Sequence, residues 1–313
     1  MNEVKRTSII LYLVAAAAFF AAPVSATQQY VIPFRITSTG HLVVDMSVNG
    51  TSGTGAILDT AATFPVIDDG VANRLGISPG DAPATVDIIG IGPVSTFPVM
   101  DVTSLSFGDI EISGIKAAYN ATFDLPGERN IIPSNSLPFR TLDFDFKRSR
   151  LLAYDRKPRS IFRATTSRMP LIWTEGLPFI QVRVNGQEGL ALIDTGANVS
   201  YINSVFANGA ARSRKDFRSV ELTGVTGNSV VMSVLASREF QIGDFEVKRF
   251  NVIVSDPEFL TAIGLEDQPI MVIGVDILSN FRLQIDRVDH ELYLSKPDER
   301  PRHGPGMTIY SDR

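Results

Sequence analysis

The chain is written twice. The stretch from Pro33-Phe34-Arg35 through Val48-Asn49-Gly50 to Ile57-Leu58-Asp59-Thr60-Ala61-Ala62 recurs as Pro170-Leu171-Ile172 through Val184-Asn185-Gly186 to Leu192-Ile193-Asp194-Thr195-Gly196-Ala197. Downstream, Phe107-Gly108-Asp109-Ile110-Glu111-Ile112 returns as Ile242-Gly243-Asp244-Phe245-Glu246-Val247, and 49 residues separate Asp59 from Gly108 just as they separate Asp194 from Gly243. A third block, Ile131-Ile132-Pro133-Ser134-Asn135-Ser136-Leu137, matches Val272-Ile273-Gly274-Val275-Asp276-Ile277-Leu278 at an offset of 141 instead of 135. Closing strands also match, Leu142-Asp143-Phe144-Asp145 with Leu283-Gln284-Ile285-Asp286. A repeat of this kind decides architecture before any local reading does. It implies two homologous units of about 130 residues.

Within each unit, alternation such as Phe179-Ile180-Gln181-Val182-Arg183-Val184 marks half-buried strands, and Asn49-Gly50 and Asn185-Gly186 mark hairpin turns. The chain is therefore expected to be mostly β. Short helices are predicted near Asp68 to Leu75, Ser204 to Ala211 and around the third block. Between the units, Arg156 to Arg168 is basic and poor in large apolar residues, as a surface connection would be. The expected boundaries are a 27–156 lobe, a 157–168 linker, a 169–297 lobe and an unstructured 298–313 tail rich in Pro, Gly and Arg.

Lys5 and Arg6 precede an apolar run from Ile9 to about Val24 that ends in Val24-Ser25-Ala26. This pattern is that of a secretory signal peptide over residues 1–26, and the run falls short of the ~20 residues a spanning helix needs. The expected destination is periplasmic or secreted, with no stable membrane insertion after cleavage. Formal net charge is −5, becoming −6 once Glu3, Lys5 and Arg6 leave together, without long single-sign runs. A nucleic-acid surface would need clustered Lys and Arg, so nucleic acid is not an expected partner.

Composition narrows the chemistry further. There is no cysteine, which excludes disulfides, thiol catalysis and Cys-ligated zinc. Only His41, His290 and His303 are present, none in a ligand spacing, so a histidine-based metal site and a Ser-His-Asp triad are both unexpected. No metal and no cofactor are predicted. What the repeat does duplicate is a carboxylate, Asp59 and Asp194, each after two apolar residues and before a threonine.

Leu192-Ile193-Asp194-Thr195-Gly196-Ala197, with Val-Asn-Gly upstream and Val272-Ile273-Gly274 downstream, resembles the retropepsin-like and pepsin-like aspartic proteases. The resemblance covers nearly the whole chain after the signal, twice. It implies an all-β acid-protease fold: two homologous retropepsin-like β-barrel lobes related by pseudo-twofold symmetry, with few short helices. It also implies that Asp59 and Asp194 form one catalytic dyad hydrolysing peptide bonds in a peptide or protein substrate. Both lobes lie in one chain, so a monomer is expected.

Two neighbouring carboxylates cannot both ionise easily, so one can hold a proton while the other takes one from water. The resemblance further implies that Thr60 and Thr195 bond across the lobe junction. Ala61, Gly196 and Gly274 belong to the supporting loops. A covering hairpin is expected at Gly90-Ile91-Gly92 or at Gly224-Val225-Thr226-Gly227, where glycines permit a tight tip. Copy one departs at Ala61, in place of the glycine of Asp-Thr-Gly, and at Pro133, which replaces Gly274 and lacks an N–H. These departures leave room for an exported pseudo-protease that binds peptides without cutting. A homodimer built on Asp194 alone is a further alternative.

Overall fold

The computed structural model describes residues 28–88, 94–122, 128–223, 229–297 and 309–311. The signal segment 1–26 and most of the 298–313 tail lie outside them. The chain forms two β-rich lobes, one on each side of a shared sheet.

The period-two pattern places side chains as expected. In Leu177–Val184, Val182 and Val184 are buried while Gln181 and Arg183 face solvent. Each hairpin turns on its Asn-Gly pair, with φ of 49° and 75° at Asn49 and Gly50 and 50° and 84° at Asn185 and Gly186. Positive φ at both central residues is the type I′ geometry that matches strand twist.

One strand in each lobe carries the aspartate at or just beyond its end. Thr51–Asp59 runs parallel to Ile131–Pro133, and Gln187–Ile193 runs parallel to Ile270–Ile273. Ile270–Ile273 is buried throughout, the continuous apolar run expected of a parallel strand covered on both faces. The helices also fall where predicted. Asp68 caps Asp69–Arg74 by accepting from Gly70 N at 3.0 Å, and Asn203 caps Ser204–Ala210 by accepting from Phe206 N at 2.9 Å. Among the described residues, no helix is long and apolar enough to cross a membrane.

The lobes are joined by a sheet ordered Ala164–Pro170, Glu291–Pro297, Arg282–Asp286, Thr141–Asp145, Arg150–Tyr154 and Gln29–Ile36. Its central pair crosses between lobes, with Leu283 opposite Phe144 and Gln284 opposite Asp143. Carboxylates buried at this joint are matched with arginines of the other lobe. Arg282 grips Asp143 with Nε to Oδ1 at 2.7 Å and Nη2 to Oδ2 at 2.8 Å, and Arg140 grips Asp286 with Nε to Oδ1 at 3.0 Å and Nη2 to Oδ2 at 2.8 Å.

Two boundaries differ from the sequence reading. The connection expected over 157–168 ends sooner, because Ala164–Pro170 is already a strand paired with Glu291–Pro297. Its threonines suit a pleated edge, and Ser167 and Met169 alternate inward, which a reading based on large apolar residues overlooks. In the tail, Ile309–Ser311 adds an edge strand to Phe245–Lys248.

Candidate active site

Asp59 is the last residue of its strand and Asp194 follows directly on Ile193, so both project from the ends of parallel pairs into the seam between lobes. The loops that follow close the same way. Ala61 N and Ala62 N donate to Asp59 Oδ1 at 2.6 and 2.9 Å; Gly196 N and Ala197 N donate to Asp194 Oδ1 at 2.8 and 2.9 Å. Each carboxyl is thus fixed by one oxygen, leaving the other toward the seam.

The threonines lock the loops to each other. Thr60 Oγ1 donates to Ile193 O at 2.6 Å and accepts from Thr195 N at 3.0 Å; Thr195 Oγ1 donates to Leu58 O at 2.7 Å and accepts from Thr60 N at 3.1 Å. Both threonines are buried, so these four bonds form a dry cross-link that sets the spacing of the aspartates. Further out, Asn198 Nδ2 donates to Thr39 O at 2.7 Å across the seam.

The two carboxyls lie close enough that each shifts the protonation of the other. Protein packs around both groups while part of each residue remains open to the cleft. Burial pushes the Asp194 carboxyl well above the usual carboxylate range, and the charge of Asp59 adds to the effect. Asp59 is also raised by burial, with the backbone donors and the neighbouring Asp194 acting against the shift. Two adjacent carboxyls raised in this way favour a state with one proton between them. As the pair titrates as a unit, the proton belongs to the dyad.

The departures of copy one have local explanations. Ala61 has a φ outside the left-handed region, and its methyl packs against the second lobe's apolar cluster around Phe179, Leu192 and Tyr201. Gly196, at the mirrored position, has no such room. A Cβ there would stand 2.5 Å from Asp59 Cγ and 3.0 Å from Asp59 Oδ1. Glycine at 196 is required by space, because Asp59 leans over it.

At Gly274, the N–H donates to Ser200 Oγ at 2.9 Å, and Ser200 in turn is held by Asp276, its N to Oδ2 at 3.1 Å and its Oγ to Oδ1 at 2.6 Å. Sheet register puts Val66 opposite Ile131 in lobe one and Tyr201 opposite Val272 in lobe two, so Pro65 occupies the place of Ser200. Copy one therefore replaces acceptor and donor together. Pro133, extended at φ −60° and ψ 132°, leads the Ser134–Ser136 turn with no orphaned partner in front of it. The N–H missing at Pro133 thus has no hydroxyl at position 65 to serve.

The remaining site residues of the sequence reading, Gly90, Ile91, Gly92, Gly224, Val225 and Gly227, lie outside the described residues. The strands beside them are described: Thr85–Ile88 pairs with Ser95–Phe107, and Phe217–Thr223 with Ser229–Ala236. Each lobe thus raises a hairpin stem in the stretch where the covering elements were expected.

Tyr201 was missed. It is buried near Asp194, and its hydroxyl is raised by burial and by the Asp194 charge. Val66 stands at the mirrored position in copy one, in a stretch where the copies differ at several positions, so the repeat gave no signal for it. Among the described residues, no group of three or more His, Asp or Glu could hold a metal ion.

A comparison with curated protein sequences gives no match. Among solved structures the chain is similar to the aspartic proteinase from Irpex lacteus, with a TM-score of 0.50 and 11% identity over 87% of this chain and 98% of that one. At that identity the likeness concerns the fold, which is the acid-protease fold of two β-rich lobes. The sequence model for the aspartyl protease family matches twice, at residues 44–132 and 180–277, together more than half of the chain. The two matched segments are the two copies of the repeat, and by them the chain belongs to the aspartyl protease family.

Proposed function

We propose that the chain is an aspartic endopeptidase in which Asp59 and Asp194 act on one water. The observation that carries this reading is the pair of loops cross-linked by Thr60 and Thr195, which hold Asp59 and Asp194 side by side with both carboxyls raised. The ionised member takes a proton from water as its oxygen attacks the peptide carbonyl, while the protonated member hydrogen-bonds to the carbonyl oxygen. Collapse of the tetrahedral carbon breaks the C–N bond, and a dyad proton goes to the departing nitrogen. Covalent attachment to the protein has no part in it.

Fusion of both lobes makes a single chain sufficient, and a second copy is not needed to complete the dyad. The segment before Thr27 supports export to the periplasm or medium with cleavage after Ala26. N-terminal sequencing of exported protein that begins at Met1 would defeat that part of the reading.

The test of the activity is a set of three variants against a broad peptide library: Asp59→Asn, Asp194→Asn and both together. Asn keeps the shape of the carboxyl and cannot accept the proton. Each single change should abolish hydrolysis with folding intact, and the double variant should be hardly worse, since residues acting as a unit are strongly non-additive. Hydrolysis that survives Asp59→Asn would place the chemistry on Asp194 alone and favour a homodimer. Peptide binding without hydrolysis in the wild type would favour the pseudo-protease.

A further inference from the structure

Residues 156–168 carry five Lys and Arg and no Asp or Glu, on a chain whose formal net charge is −5. Two of the five are matched by carboxylates: Lys157 Nζ lies 2.7 Å from Asp289 Oδ2, and Arg168 pairs with Glu291. Arg156, Arg159 and Arg163 are exposed and have no carboxylate partner among the described residues. An anion is the partner that such a cluster lacks.

The fold presents these three arginines on aromatic rings. Tyr154, the last residue of Arg150–Tyr154, is fully buried, and its hydroxyl donates to Asp143 Oδ2 at 3.3 Å in the lobe joint. Arg156 Cζ stands 5.2 Å and Arg159 Cζ 5.1 Å from the centroid of that one ring, so two guanidiniums rest on a fixed platform. The backbone beside them is pinned as well. Thr141 Oγ1 donates to Arg156 O at 2.5 Å, Arg140 N donates to Asp155 Oδ1 at 3.0 Å, and Pro158 holds its own φ. Further on, the chain turns at Phe162 and Arg163, and Arg163 Cζ lies 5.1 Å from the Phe162 ring centroid. Phe162 is 83% exposed, more than any other large apolar side chain among the described residues.

We propose that this surface docks the protein on an anionic phospholipid membrane, with Arg156, Arg159 and Arg163 at the lipid phosphates and Phe162 set among the headgroups. The guanidinium fork matches phosphate oxygens in geometry and charge. An aromatic ring flanked by cations is the combination that partitions to a membrane–water interface, where the ring finds apolar surroundings and the cations find phosphate. A nucleic acid would instead call for a stripe of cations that tracks a strand of phosphates. The core of a protein interface is depleted of charge, whereas the one projecting ring here lies between Arg159 and Arg163 in the chain. Docking of this kind is peripheral and reversible and needs no spanning segment. None of these residues belongs to the dyad loops, so the proposal stands apart from the peptidase reading.

The test is sedimentation of the purified protein with vesicles of equimolar phosphatidylglycerol and phosphatidylcholine, and with vesicles of phosphatidylcholine alone. The apolar run from Ile9 to Val24, where retained, would bind both kinds alike, so the readout is the difference between them. Binding to the anionic vesicles should be tighter by roughly tenfold or more and should weaken as salt rises. Each of Arg156→Gln, Arg159→Gln and Arg163→Gln should weaken it about fivefold, and Phe162→Ser about tenfold. Phe162 and Arg163 are exposed, so their variants should keep the wild-type urea unfolding curve, and a loss of binding there reports the surface itself. Inorganic phosphate at millimolar concentration should not displace the protein, because a free anion offers nothing to Phe162. Equal binding to the two kinds of vesicle, binding to neither, binding unchanged by Phe162→Ser, or full displacement by inorganic phosphate would overturn the proposal, and the last would make the arginines a site for a free anion.

Discussion

Gly196→Ala is the sharpest perturbation of the dyad, because it adds a single methyl and its effect follows from one distance. An ideal Cβ on Gly196 lies 2.5 Å from Asp59 Cγ. Carbon atoms in favourable contact lie about 3.5 Å apart, so the carboxyl must retreat by about 1 Å. Ala61 N and Ala62 N, at 2.6 and 2.9 Å, hold the same carboxyl in place, and a retreat of that size carries Oδ1 out of hydrogen-bonding range of at least one. Misplacing a reacting group by 1 Å costs about 10²-fold in rate, or about 2.7 kcal/mol of barrier. Overpacking should also lower stability by about 1–3 kcal/mol. The assay is kcat/KM on a cleaved peptide, read beside a urea unfolding curve. The mirrored change, Ala61→Gly, serves as control: it removes a methyl that packs on apolar side chains and should cost no more than a few-fold. A Gly196→Ala enzyme keeping a third or more of wild-type kcat/KM would refute the argument that Asp59 leans on this glycine.

Three further outcomes follow from the same geometry. Both dyad carboxyls take up a proton more readily in the folded chain than in the unfolded one, so their contribution to stability is full below about pH 4 and is lost as pH rises through the raised range; Asp194→Asn should therefore raise Tm near pH 7 and lose that advantage toward pH 3, and a pH-independent change would contradict the burial argument. Neither Ala62 nor Ala197 has a hydroxyl to stabilise an ionised carboxylate, so activity should extend toward neutrality, and Ala197→Ser should move the profile toward acid; an unmoved profile would count against it. Asp143→Ala would leave the Arg282 guanidinium with Asp145 alone, 3.5 Å from its Nη1, and would remove the acceptor of Gln284 Nε2, and it should cost about 3 kcal/mol in urea unfolding, whereas a loss under 1 kcal/mol would mean the pair is solvated.

The repeat made the architecture legible because symmetry is a property of sequence that survives without contacts. Matched spacing from Asp59 to Gly108 and from Asp194 to Gly243 was enough to expect two lobes, and strand alternation with Asn-Gly turns was enough to place their hairpins. The joint was less visible. Asp143 and Asp286 show in the sequence only as members of matched closing strands, and only the pairing of Arg282–Asp286 with Thr141–Asp145 brings each an arginine. Short-range pattern carries no signal for a partner about 140 residues away.

Pro133 teaches the opposite lesson, for there the signal was present and was taken singly. Taken by itself, a proline in place of Gly274 removes a donor beneath a catalytic loop and argues for a lobe that lost its chemistry. The structure shows that the donor at Gly274 serves Ser200, and that the position of Ser200 in copy one is Pro65, which has no hydroxyl and no N–H. Asn135 stands where Asp276 fixes that serine. The copies differ together at these three positions, a polar tether in copy two and two prolines in copy one, and the loop above them still presents Ala61 N and Ala62 N to Asp59. A lobe drifting away from catalysis would be expected to lose these elements piecemeal and to leave a buried donor or acceptor stranded. The carboxylate cradle of Asp59 is intact above these differences, as the proposed peptidase requires.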